Sequence, residues 1–170
     1  MNNNIPKYFI LTSLFFMALG CLEGLMFPTK FQFQPFYSAI FHLPAEYLKP
    51  FFGSFLVKIH THINLIGWVG SALMGILYFI APQINPKGHY KRILAYLNLI
   101  SHVAGLLIFT TGFHVIGVVG LKSGANYGSE AFRAVVAPYK MLTMTGGILI
   151  TISAVIFAYN MVRVLLATKK

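Results

Sequence analysis

The chain has 170 residues, of which 57% are hydrophobic, 15% aromatic and only 9% charged, against about a quarter charged in an ordinary soluble domain. So few polar side chains cannot cover a water-soluble fold of this size, and the composition predicts an all-α membrane protein. The net charge of +10 does not point to nucleic acid, because the cations stand singly or in pairs between apolar runs, with no basic face.

A membrane-crossing helix needs about 20 apolar residues, and four stretches of the chain reach that length within one domain spanning residues 1–170. Span A is predicted over residues 8–27, between Lys7 and Pro28. Its Ala18-Leu19-Gly20-Cys21 loosely imitates a lipoprotein cleavage site and is read here as part of a retained span. Cys21 is the sole cysteine, so no internal disulfide can form. Residues 29–56 are rich in Phe, Tyr and Pro and suit the headgroup zone, where aromatic rings are favoured. Span B is predicted over residues 57–80, stopping at Ala81-Pro82 because proline cannot extend the hydrogen-bond ladder. The short link from Gln83 to Tyr90 forces an antiparallel hairpin into span C, residues 93–121. Residues 122–140, with Gly124 and Gly128, read as a polar turn region. Span D covers residues 141–166. The expected architecture is four transmembrane helices in an antiparallel bundle.

With both termini on one side, that side holds Lys7, Lys87, Lys91, Arg92, Arg163, Lys169 and Lys170. The other holds Lys30, Lys49, Lys58, Lys122, Arg133 and Lys140, with Glu46 and Glu130. Seven of 13 cations on the terminal side favour cytoplasmic termini in a bacterial inner membrane.

Ionisable groups inside spans are costly and point to function. His42 and His89 fall in loops, whereas His60, His62, His102 and His114 fall in spans. His60 lies 22 residues before Pro82, and His114 lies 22 after Arg92. Both therefore sit roughly 30 Å from the hairpin end, at about 1.5 Å per helical residue. His62 is half a turn lower, and His102 is near mid-membrane. Imidazoles at one level on antiparallel neighbours have the geometry for axial haem ligation between helices. His60 and His62 point about 200° apart, so only one of them can face span C and His114. The other is left for a second haem or a neighbouring subunit. His102, about 120° from His114 around its helix, is expected to serve another contact. Zinc or copper also accepts imidazole, but a lone Cys21 and no carboxylate beside the His-x-His suit a porphyrin better.

Gly67, Gly70, Gly75, Gly105 and Gly112 leave room either for helix packing or for a flat macrocycle. Lys58, Arg133, Tyr139 and Lys140 stand at the His60 end, as haem propionate partners or as interfacial anchors. Glu23, at about the histidine level, needs a partner, with Lys58 or a histidine in reach.

The run His60-Thr61-His62-Ile63-Asn64-Leu65-Ile66-Gly67-Trp68, continuing to Gly75-Ile76-Leu77-Tyr78 and Pro82, resembles the tenth helix of the catalytic subunit of C-family haem-copper cytochrome c oxidases, relatives of the nitric oxide reductases. Span D, with Pro138-Tyr139, Gly146-Gly147 and Ala158-Tyr159-Asn160, is similar to that subunit's last helix. Spans B to D thus resemble its three C-terminal helices in order. The resemblance implies that His60 matches the axial ligand of the high-spin haem and His62 one ligand of the low-spin haem b. The helices that bear the oxidase's copper ligands have no counterpart, so no copper and no complete oxygen reduction are expected of this chain alone.

The expected function is electron transfer through one or two haem b groups, with His62 and His114 as the first-choice axial pair. His60 is expected to ligate a second or shared haem. A five-coordinate haem that binds nitric oxide or oxygen is the alternative, as is a haem-free accessory subunit of a respiratory complex. Membrane lipid, a second copy or a larger respiratory complex are the expected partners.

Overall fold

A computed structural model describes residues 4–28 and 30–168. Thr29, Lys169 and Lys170, and the side chains of Lys30, Phe31 and Gln34, lie outside that description, so three lysines of the charge count are not located. Five helices account for nearly all the described chain. They are α1 (Ile5–Leu25), α2 (Lys30–Phe41), α3 (Ala45–Ile84), α4 (Arg92–Lys122) and α5 (Glu130–Leu165). All except α2 are long and apolar enough to cross a membrane, and these four pack as an antiparallel bundle. The protein is an all-helical integral membrane protein with four spans.

The spans lie where hydrophobicity places them, but two begin much earlier than the apolar runs. α3 starts at Ala45, twelve residues before the expected Val57, and passes through two π-helical stretches, Phe52–Leu56 and Ile63–Gly70. α5 starts at Glu130 rather than in the region of Met141. Its first turn carries a local signal, because the Ser129 hydroxyl accepts from the Phe132 N–H at 3.1 Å and Glu130 complements the positive helix end. At its other end α3 runs past Pro82 to Ile84. A proline there forfeits one ladder bond in the last turn, a smaller loss than a break in mid-helix.

The aromatic connection is not a loose headgroup segment. α2 lays Tyr37 against Phe51 and Phe52 of α3, with ring centroids 5.5 and 5.3 Å apart, and Phe41 stands 5.3 Å from Tyr37 on the same helix. Phe51 is fully buried. Together these rings cap the end of the bundle remote from the termini.

The glycines are occupied by helix packing. A Cβ on Gly105 would come within 2.9 Å of the Ile150 backbone nitrogen, and one on Gly146 within 2.5 Å of the Phe109 nitrogen. Gly112 meets Thr143 in the same way, so α4 and α5 touch backbone to backbone. Gly67 and Gly75 instead receive Phe16 and Phe9 of α1.

At the terminal half a buried polar network joins the spans. The Tyr78 hydroxyl donates to Asn98 Oδ1 at 3.1 Å, and Asn98 Nδ2 donates to the Ser153 carbonyl at 2.9 Å and to its hydroxyl at 2.6 Å. Asn98 and Ser153 are fully buried. Interhelical hydrogen bonds in membranes contribute about 0.6 kcal/mol each on average. Asn98→Ala removes several at once and takes away the acceptor of the Tyr78 hydroxyl, while Ser153 keeps its bond to the residue 98 carbonyl. We expect it to lower stability by about 1–2 kcal/mol, read from SDS-driven unfolding of detergent-purified protein.

Candidate functional site

The four span histidines point to different neighbours. His60 turns toward α1. Its Nδ1 lies 4.0 Å from Glu23 Oε2, its ring is edge-on to Phe27 at 5.4 Å, and Asn64 Nδ2 donates toward the ring at 3.2 Å. Gly24 makes this possible, since even a Cβ there would approach the His60 ring to 3.3 Å. His62 instead faces α4, its ring 4.8 Å from Phe109 and 5.9 Å from Phe113, so the two histidines turn to different neighbours.

Hydrogen bonding fixes the His62 tautomer. Its Nδ1 lies 2.6 Å from the Lys58 carbonyl, and a carbonyl only accepts, so Nδ1 carries the proton. Nε2 is left with a lone pair. A ring held by an Nδ1–H to carbonyl bond is oriented in the way metal-ligating histidines commonly are.

His102 serves a contact between spans. Nε2 sits 3.2 Å from the Ile66 carbonyl and 3.0 Å from the Ser71 hydroxyl, both on the α3 segment in and just after the second π-helical stretch. By the same reasoning Nε2 is protonated. The Nδ1 lone pair is buried without a partner, against Phe9 of α1.

His114 lies beneath the aromatic cap, its ring 6.0 Å from Tyr37, 5.2 Å from Phe41 and 5.3 Å from Phe51. Its Nε2 is buried and makes no hydrogen bond. It lines an open-sided cavity of about 450 Å³ bordered by Leu19 and Glu23 of α1, Phe41 of α2, Ile59 and Ile63 of α3, and the Thr110 to Val119 face of α4. Small-molecule and cofactor sites occupy about 300–1,000 Å³, mostly apolar with a few convergent polar groups, and this cavity has that character. Glu23 is the second polar group. It is 9% exposed, and its Oε2 is buried without a hydrogen bond. Beyond the spans, burial holds the Tyr37 phenol up at about 12, with the Glu23 carboxylate adding to the effect. Tyr37 therefore stays a neutral donor at physiological pH.

The structure thus brings His114 and Glu23 to one cavity and sets His60 behind Glu23. His62 occupies the adjacent flank of α4, marked by Phe109 and Phe113 where the cavity is marked by Thr110 and His114. That is a turn of about 100° around the helix. The groups expected near His60 stand apart from the cavity lining. Arg133 donates to the Gly128 carbonyl at 3.0 and 3.1 Å, and Tyr139 and Lys140 are exposed. Lys58 lies near His62, its ammonium 5.7 Å from the Phe113 ring centre. Among the described residues no three His, Cys, Asp or Glu side chains gather as they would around a bare metal ion.

The Asn98 network and the Glu23–His60 proximity carry no motif, although a buried asparagine and a carboxylate inside apolar runs are themselves the signal that could have been followed.

Known proteins bear on this site through sequence alone. The chain is 28% identical over 60% of its length to a cytochrome c oxidase subunit 1 homolog, bacteroid, of Bradyrhizobium diazoefficiens, covering 20% of that protein. It is 27% identical over 60% of its length to cytochrome c oxidase subunit 1 of Rhodobacter capsulatus, covering 21% of it. A cytochrome c oxidase subunit 1 homolog of Agrobacterium tumefaciens is 22% identical over 65% of the chain and 22% of that protein. The chain spans about a fifth of the length of the curated relatives it matches. No family model matches it, and no solved structure does. The relationship to the haem-copper oxidases is distant and partial.

Proposed function

We propose that the protein binds haem b in the cavity beneath the aromatic cap, with His114 as an axial ligand, and passes electrons in the membrane. The observation that carries this reading is His114 Nε2, a buried ring nitrogen without a partner at the wall of an apolar cavity of cofactor size. Leaving such a group unsatisfied costs about 1–3 kcal/mol, which a bond to iron removes. The distant similarity to oxidase subunit 1 favours haem over other occupants of the same volume. A porphyrin supplies four equatorial nitrogens and asks the protein only for axial imidazoles, which agrees with histidines that are spread rather than clustered.

Haem b, when bound, supplies a one-electron ferric–ferrous couple. The chain's own contribution is position and dryness. Phe41, Ile59 and Ile63 exclude water, and the cap rings hold the His114 plane. His62, with Nε2 free for coordination, is the second ligand of the six-coordinate form. To reach the same iron its ring must leave Phe109 and turn about the helix toward Ile63. If it stays on Phe109, His114 alone would hold the haem and the site would suit a diatomic gas, a second reading that the tilted contact of His62 with Phe109 favours.

The absorption spectrum of protein purified in mild detergent tests both. Sharp reduced-state alpha and beta bands are expected for the six-coordinate form, and a shift under carbon monoxide marks the open one. Native protein with no Soret band refutes haem binding altogether.

A further inference from the structure

The three acidic side chains of the sequence are Glu23, Glu46 and Glu130. None lies at the end of the bundle where α3 turns into α4 and α5 finishes, yet that end carries Lys87, Lys91 and Arg163, with His89 beside them. The charge there is therefore not balanced by any acidic side chain of this chain.

The arrangement is built rather than loose. Gly88 presses against the Val164 carbonyl so closely that a Cβ would collide with it. Asn85 Nδ2 donates to the Val164 carbonyl at 3.0 Å and to that of Ala167 at 2.9 Å, satisfying helix-end acceptors of α5. Both contacts fasten the loop to the end of α5 and so fix Lys87 and His89, the neighbours of Gly88, beside Arg163. The Arg163 guanidinium in turn donates to the His89 carbonyl at 3.4 Å. Between them lies a cavity of about 370 Å³, lined by Lys87, His89, Arg163, Leu166, Ala167 and Thr168. A neighbouring cavity of about 310 Å³ shares His89 and includes Arg92. Leu166, 74% exposed, and Ala167 provide an apolar border.

We propose that this cavity binds the phosphate headgroup of an anionic phospholipid, with phosphatidylglycerol as the representative ligand. Lys87 and Arg163 donate charge-assisted hydrogen bonds to the phosphate oxygens, and the apolar border receives the first carbons of the acyl chains. Basic pockets between spans at a membrane face recognise lipid headgroups in this way. Inorganic phosphate would meet the same cations but gain nothing from the border, which separates a lipid site from a site for the free anion.

The test uses full-length protein reconstituted in phosphatidylcholine vesicles with or without phosphatidylglycerol, followed by native mass spectrometry of retained lipid. Wild-type protein is expected to retain phosphatidylglycerol in preference to phosphatidylcholine. The double variant Lys87→Gln/Arg163→Gln should bind it about 25-fold more weakly, at about fivefold per cation removed. Inorganic phosphate at equal concentration should leave the lipid in place. Equal retention of the two lipids by wild type, or unchanged retention by the variant, overturns the proposal, and displacement by inorganic phosphate assigns the site to the free anion instead. Should the variant fail to fold, a salt titration of wild-type protein decides. Retention that falls as sodium chloride rises supports the site, and salt-insensitive retention overturns it.

Discussion

Replacing His114 by Ala is expected to remove the Soret band from the purified protein, while His102→Ala leaves it in place. The difference follows from what each ring nitrogen already does. His102 has its protonated Nε2 committed to the Ile66 carbonyl and the Ser71 hydroxyl, so its loss loosens the α3–α4 contact. His114 has a buried Nε2 with no partner and a cavity in front of it. The ring also fills space between Tyr37, Phe41 and Phe51, so truncation costs some packing as well as a ligand, on the order of 1–3 kcal/mol. Added imidazole separates the two effects. It should restore the Soret band in His114→Ala by occupying the vacated position, whereas a variant that lost haem through misfolding would not recover. His62→Ala is expected to retain the Soret band but lose the sharp low-spin bands and gain a carbon monoxide shift. A full low-spin spectrum in His114→Ala would sink the assignment of His114 as ligand.

Hydrophobic length and charge placement make the four spans legible, because the bilayer imposes one dominant condition on composition. Their starts were not legible in the same way. Residues 45–56 and 130–140 pack on the cap and on α4, with Ser129 and the first-turn Glu46 and Glu130 as the local signs, and tertiary contact is invisible to a hydropathy argument. Depth arithmetic placed His60, His62 and His114 at one end and correctly separated His60 from His62 around the helix. It could not say which faces of α4 meet α3, and that rotation sets His62 on the Phe109 flank and His114 on the cavity flank. The five glycines were ambiguous between helix and macrocycle. The structure gives four of them to helices, because a Cβ at Gly67, Gly105 or Gly112 would meet a neighbouring helix within 3.0 Å and one at Gly75 at 3.1 Å, whereas Gly70 meets only its own helix's Leu65 carbonyl at 3.3 Å and His102 at 3.8 Å. Glu23 was readable as a residue needing company, and geometry supplies His60 at 4.0 Å.

Gly146→Leu is expected to be the most destabilising single change in the bundle. Its Cβ would fall 2.5 Å from the Phe109 nitrogen and 2.7 Å from the Gly105 carbonyl, and both are backbone atoms that cannot rotate aside. Accommodating a side chain means moving α5 off α4 along the contact that Gly105, Gly112 and Gly146 create. Overpacking in a filled core costs about 1–3 kcal/mol, and a backbone-to-backbone approach belongs at or above the upper end of that range. With lipid as apolar as the side chains, close approach is most of what holds two membrane helices together, so little else compensates. SDS-driven unfolding should show the loss directly, with Gly53→Ala as the comparison. Gly53 has nothing within 4 Å of its would-be Cβ, so that change should stay within about 0.5 kcal/mol of wild type. The displacement would also reach the site, because α4 carries Phe109 beside His62 and Thr110 and His114 at the cavity wall. Gly146→Leu should therefore weaken haem retention as well as stability, although no atom of Gly146 lines the cavity. Wild-type stability in that variant would mean that α4 and α5 do not meet through their glycines, and the rotation of α4 that separates His62 from His114 would lose its physical basis.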